Sequence, residues 1–210
     1  YEIVVSDWSS DVCSSDLANA SGSYTLKVQI PGCTSKEVSQ NVLVKPNPTT
    51  PQITNSLSIC EGEDITLNAG VTAGSICNWT GPNNFNLVGQ SLQLNNAQTN
   101  QSGQYKVKAD LNGCESNEAI VDVEVKAKPQ TPIVNVSNQL CEGEDLILQT
   151  SILSGDQLSW SGPNGWTSTA NVPVLNDIKI GQSGNYQVYI TRNGCSSETL
   201  DFDVNIVAKP

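Results

Sequence analysis

Seven cysteines and two clusters of carboxylates are the side chains best placed to do chemistry in this 210-residue sequence. A thiol can bond another thiol, ligate a soft metal or attack an electrophile. The last route needs a base, and the chain contains no histidine. Neither a Cys–His nor a Ser–His pair can therefore form. The sequence also lacks a C-x-x-C pair, a G-x-S-x-G elbow, a phosphate-binding glycine loop and an H-E-x-x-H motif. Its carboxylates are scattered as on any acidic surface, and nothing in the sequence pairs two of them with a reason for shifted pKa values. The chain reads as non-catalytic and free of cofactors, with disulfide formation as its chemistry. That chemistry implies an oxidising compartment.

Cys60 and Cys114 stand 54 positions apart, as do Cys141 and Cys195. Pairing within each copy, Cys60–Cys114 and Cys141–Cys195, is the simple reading of that spacing. Cys33 fits the same scheme with its mate upstream. Cys77 precedes Trp79 by two residues and reads as a buried thiol used as a small hydrophobe. Glu61, Glu63 and Asp64, with Glu142, Glu144 and Asp145, form acidic turns that are weak calcium candidates. The favoured reading is a solvated turn in which Gly62 or Gly143 takes the demanding backbone angles. Phe85 and Trp166 are candidate glycan contacts, with capping of the core as the competing reading. Arg192, near Cys195, is expected to pair with the acidic turn of the copy before it.

Charge narrows the partners. Ten Lys+Arg face 21 Asp+Glu, for a net charge of −11. Nucleic acids and anionic membranes both select clustered cations, so neither is expected. No apolar stretch approaches the ~20 residues of a membrane span. With no initiator Met and no signal peptide, the sequence reads as a piece of something longer.

An offset of 81 residues organises these side chains. It relates Cys60-Glu61-Gly62-Glu63-Asp64 to Cys141-Glu142-Gly143-Glu144-Asp145, and Trp79 to Trp160. The same offset carries Gly81-Pro82-Asn83, Tyr105 and Asn112-Gly113-Cys114 onto Gly162-Pro163-Asn164, Tyr186 and Asn193-Gly194-Cys195. An earlier tail survives in Ser21-Gly22, Tyr24 and Gly32-Cys33. The expected domains are a truncated module over 1–47 and full modules over 48–128 and 129–210. Prolines 46, 48, 51, 129 and 132 mark short stiff linkers. Within each copy the apolar period is two, as in Tyr105, Val107 and Ala109, and Asn-Gly dipeptides signal hairpins. The pattern predicts about seven short strands per copy and an all-β sandwich.

The motifs C-E-G-E, W-x-G-P-N and S-G-x-Y…N-G-C are similar to bacterial immunoglobulin-like modules of large secreted or cell-surface, adhesin-type proteins. The likeness begins near Ala18. It implies tandem Ig-like β-sandwiches of period 81 arranged end to end, with Trp79, Trp160, Tyr24, Tyr105, Tyr186 and Cys77 in the cores. The positions of the usual intersheet disulfide hold Ala69 and Val107, so that bond is absent. In the register the resemblance supplies, Cys60 lies at one pole. Cys114, nine residues past Tyr105, lies roughly 30 Å away at the other. A disulfide needs Cα atoms within about 7 Å. The resemblance therefore favours Cys60–Cys195 between modules over Cys60–Cys114 and Cys141–Cys195, and leaves Cys141 for a following module. The implied function is a stalk or spacer with weak multivalent binding. Its partners would be neighbouring modules and a cell-surface protein or glycan, without membrane insertion. A glycan-binding accessory module, or an accessory region of a secreted hydrolase, is the alternative.

The N-terminus breaks the pattern. Within residues 6–17, W-S-S-D-V-C-S-S-D-L resembles the translation of a DNA-sequencing adapter. The expectation is an assembly artefact, in which Trp8 and Cys13 carry no functional information.

Overall fold

Alternating apolar and polar residues become strands with one dry and one wet face. In Ile65–Gly70, residues 65, 67 and 69 are buried while their neighbours are exposed. Gly103–Leu111 likewise buries Tyr105, Val107 and Ala109. The computed structural model describes residues 11–13, 20–54, 57–136 and 139–209. Among them the helical elements are short 3-10 turns, and no helix is long and apolar enough to cross a membrane.

Two larger sheets share one strand order. The first runs Phe85–Val88, Ile76–Gly81, Gly103–Leu111, Ala119–Lys126, Leu57–Cys60. The second runs Thr167–Ser168, Gln157–Ser161, Gly184–Arg192, Leu200–Val207, Gln139–Cys141. Each central hairpin closes on Asn-Gly with both residues at positive φ: Asn112 at 55° and Gly113 at 85°, Asn193 at 52° and Gly194 at 84°. Those angles suit the two-residue turns that match strand twist. The architecture is an Ig-like β-sandwich.

The opposing sheets differ for a covalent reason. Ser91–Leu94 pairs with Ile65–Gly70 over four positions, Leu92 lying opposite Leu67. In the next copy Pro173 takes the place of Leu92. Proline has no N–H to give the ladder. Leu148 N still donates to Pro173 O at 3.0 Å, but the ladder is interrupted. The opposing strand splits into Leu146–Ile147 and Gln149–Thr150.

Residue contacts gather the chain into two compact units. One comprises Tyr1–Leu57, Asp64–Asn95 and Asn100–Val123; the other comprises Ser58–Glu63, Asn96–Thr99 and Glu124–Pro210. The core of the first contains Ile65, Leu67, Trp79, Leu92, Tyr105 and Val107, each no more than 1% exposed. The second is built on Leu146, Leu158, Trp160, Ile178, Tyr186 and Val188. Burying each large apolar side chain is worth about 1.5–3 kcal/mol, which makes these clusters the main source of stability.

The N-terminal segment corrects one expectation. Tyr24 was expected in a core and is instead 53% exposed, with Leu26 at 51% and Val38 at 68%. Gly22–Leu26 and Val38–Lys45 form a sheet with Asp11–Cys13, and among the described residues no second sheet covers its apolar face. Of residues 6–17, only Asp11–Cys13 is described, as a strand parallel to Val38–Lys45 with Asp11 opposite Leu43. The rest of that adapter-like stretch, Trp8 included, lies outside the described residues.

Candidate functional site: a disulfide-anchored turn and hairpin

The acidic turns are held by their own carboxylates. Cys60 N donates to Glu63 Oε2 at 2.9 Å, and Glu63 N donates to Cys60 O at 3.1 Å. Gly62, at φ 89°, lets the chain reverse, and its N–H reaches Ala97 O at 2.8 Å. The second copy repeats each bond. Cys141 N donates to Glu144 Oε2 at 2.8 Å, Gly143 N to Ile178 O at 2.9 Å, and Gly143 sits at φ 93°. Asp145 Oδ1 accepts from Asp177 N at 3.0 Å. These contacts direct Glu63, Glu144 and Asp145 to backbone amides. Among the described residues no group of three or more His, Cys, Asp or Glu side chains converges on a metal position, Glu61, Glu63 and Asp64 included.

The turn at Cys60 meets a hairpin tip. Cys60 and Cys195 form a disulfide with Cα atoms 5.6 Å apart, closing a sequence separation of 135 residues. On a chain-entropy account, a loop of that size stabilises the folded state by about 5 kcal/mol. The Cys60 sulfur also lies 3.8 Å from Gly194 O; in a disulfide it has no hydrogen to donate, so this is a packing contact. Lys128 Nζ stands 3.8 Å from Glu198 Oε1 at the same place. Both groups are exposed, so the pair adds at most about 1 kcal/mol.

The other cysteines take separate fates. Cys114 is buried and itself disulfide-bonded. Cys33 is an exposed free thiol, Cys141 a half-buried one and Cys77 a buried one. Burial pushes the Cys77 thiol pKa up, which leaves it protonated and inert. Neither Cys60–Cys114 nor Cys141–Cys195 is formed.

Arg192 departs from expectation. It does not reach the acidic turn of the preceding copy. Its Nε donates to Asp156 Oδ1 at 2.6 Å, within its own copy. Asp156 Oδ2 accepts from Leu153 N at 2.7 Å, which locks the turn beside the hairpin. The Asp156 side chain is 1% exposed and that of Arg192 is 31% exposed. The hydrogen bond from Arg192, with help from the Leu153 amide, holds the Asp156 carboxyl below its ordinary pKa against the opposing effect of burial. A partner 36 residues away in a loop carries no periodic signal, so only the structure reveals the pair.

The tyrosines repeat one contact. Tyr105 OH donates to Gln101 O at 3.0 Å, Tyr186 OH to Gln182 O at 3.1 Å, and Tyr24 OH to Ala20 O at 2.6 Å. Burial raises the Tyr105 and Tyr186 pKa values. Trp79 and Trp160 donate their indole N–H groups to Gly89 O and Ala170 O, both at 3.0 Å. Phe85 packs edge-on to Tyr105 at 5.8 Å and Trp166 to Tyr186 at 5.7 Å. Each is half-buried, which is a core-capping placement rather than an open platform for a sugar. An open groove of about 500 Å³ lies elsewhere, lined by Ser159, Ser161, Thr167, Ser168, Thr169, Trp160 and Tyr189. It was not anticipated, because the exposed face of a strand shows only as polar alternation.

An Ig-like β-sandwich fold with a disulfide-tied hairpin defines the class of this molecule, and solved structures resemble it. The N-terminal eight Ig domains of Down Syndrome Cell Adhesion Molecule (DSCAM) isoform 1.30.30 align at 14% identity and TM-score 0.50, over 91% of this chain and 28% of that one. Extracellular domains 3-5 of Drosophila OTK align at 12% identity and TM-score 0.47, over 92% of this chain and 72% of that one. Murine CEACAM1b aligns at 16% identity and TM-score 0.40, over 77% of this chain and 99% of that one. Neither a protein-family model nor a curated protein matches the chain in sequence.

Proposed function

We propose that this chain is a non-catalytic structural and adhesive repeat region of a large secreted or cell-surface bacterial protein. It would act as a stalk or spacer whose modules, 48–128 and 129–210, add weak multivalent contacts. The observation that carries this reading is the Cys60–Cys195 disulfide, which ties one sequence copy to the next. A bond of that kind persists outside the reducing cytosol. It also withholds the residues it encloses from extension under a pull, which suits a spacer. DSCAM, a cell adhesion molecule by name, carries the same fold in an eight-domain run. Neighbouring modules of the same chain would be the first partners, with a cell-surface protein or glycan beyond them.

Antibodies raised against the chain should label intact, unpermeabilised cells of the source organism. Labelling that appears only after permeabilisation would overturn the proposal.

A glycan-binding accessory module is the second reading, favoured by the hydroxyl-lined groove beside Tyr189, which is 37% exposed. Retention on a neutral-glycan surface that disappears with Tyr189→Ala would support it, and indifference to that change would remove it. We further propose that residues 6–17 derive from a sequencing adapter. Recovery of the same codons from intact genomic DNA would refute that origin.

A further inference from the structure

We propose that the turn at Cys141 is a socket for the Asn-Gly-Cys hairpin tip of a further repeat of this kind, closed by a disulfide to Cys141. The inference rests on the stalk reading and deepens the expectation that Cys141 is left for a following module, by naming the hairpin tip and the contacts that would hold it.

Cys141 is a half-buried free thiol. Taken alone it would say nothing. The second observation is its counterpart 81 positions earlier, which already holds such a tip through Cys195. The two turns match bond for bond. Glu61 N donates to Lys126 O at 2.8 Å and Glu142 N to Val207 O at 2.9 Å; Ala97 N donates to Glu63 O at 2.8 Å and Ile178 N to Glu144 O at 2.9 Å. The hairpin side is equally consistent. Cys114 and Cys195 each follow an Asn-Gly turn, and each is disulfide-bonded. Beside the occupied turn, Lys128 pairs with Glu198. Its counterpart Lys209 is exposed and makes no ion pair among the described residues. The incoming tip should therefore carry a carboxylate three residues after its cysteine, as Glu198 follows Cys195.

Closure is thiol oxidation. Cys141 and the incoming cysteine lose two protons and two electrons to glutathione disulfide, which leaves as two glutathione thiols. An S–S bond forms in the protein as one breaks in the oxidant.

The test extends the full chain after Pro210 with a second copy of its residues 129–210. The added copy has its own acceptor cysteine replaced by serine. The chain is then oxidised in a glutathione buffer, alkylated and mapped. Cys141 should lose its alkylation and appear linked to the Asn-Gly-Cys peptide, while Cys33 stays free. A Cys141 that remains alkylated beside a folded added copy overturns the proposal. If the added copy does not fold, Cys60→Ser in the 210-residue chain decides, because it frees Cys195 on a hairpin already formed. Oligomers linked Cys141–Cys195 support the socket. Linkage through the more exposed Cys33, or no linkage, overturns it. The surface-labelling experiment fails independently of these thiol readouts, so the two readings fall separately.

Discussion

The two copies share a turn, a tyrosine contact and a hairpin, yet they support the hairpin differently. In the second, Asp156 lies buried under Arg192. Eighty-one positions earlier stand Ser75 and Leu111, and Ser75 Oγ is buried with no hydrogen-bond partner among the described residues. The contrast teaches that the position beneath the hairpin accepts a charge only when the strand above supplies its counter-ion. Replacing both at once by smaller, less polar groups leaves one unsatisfied hydroxyl instead of an unpaired carboxylate. Buried ion pairs are commonly tolerated as pairs and costly as halves.

The largest way to disturb the comparison is to cut the bond the second hairpin makes. Cys60→Ser should lower unfolding stability by about 5 kcal/mol on the chain-entropy account. Denaturant titration of the oxidised variant would show it. A loss under about 1 kcal/mol would mean the disulfide does not constrain the unfolded chain.

Close packing offers a second probe. An added Cβ at Gly162 would fall 2.6 Å from the Tyr186 ring, and at Gly81 2.7 Å from the Tyr105 ring. Both glycines are extended, so the obstacle is space rather than backbone angle. Alanine at either should cost about 1–3 kcal/mol, nearly equally in the two copies. Unequal losses in thermal melts would break the equivalence.

The pair beneath the hairpin gives a pH signature. The folded pKa of Asp156 lies below its unfolded value. The unfolded state therefore takes up the proton first as pH falls. The stability Asp156 contributes is complete above its unfolded pKa and is lost as pH drops through the lower folded one. Asp156→Asn should remove that part of the acid dependence. A denaturation profile unchanged by the substitution would refute the coupling. In the first copy, Ser75→Ala should stabilise by about 1 kcal/mol, because it removes an unsatisfied buried hydroxyl.

An effect of similar small size belongs to Pro173. Pro173→Leu would restore an N–H and let Leu146–Ile147 and Gln149–Thr150 join as one strand, worth about 0.5–1.5 kcal/mol. Slower amide exchange across residues 146–150 would report it.

Legibility followed locality. The strands of both copies could be read from period-two runs, because burial of alternate side chains is what that period means. The Asn-Gly turns followed from their tolerance of positive φ. Tyr24 could not be placed, since the same residue at the same offset is buried only if a second sheet arrives to cover it. Arg192 pairs with a carboxylate other than the expected one, because the sequence shows several acids and no distances. Phe85 and Trp166 announced aromatic surface, and only packing against Tyr105 and Tyr186 shows that much of it is spent on the core.

The central claim is that the Cys60 turn holds the Cys195 hairpin. Peptide mapping of the native chain under non-reducing conditions tests it most directly. A cross-linked species joining the Cys60 and Cys195 peptides, separate from the one that holds Cys114, with Cys141 recovered as a free thiol, is the predicted result. Recovery of Cys60–Cys114 or Cys141–Cys195 peptides would contradict it.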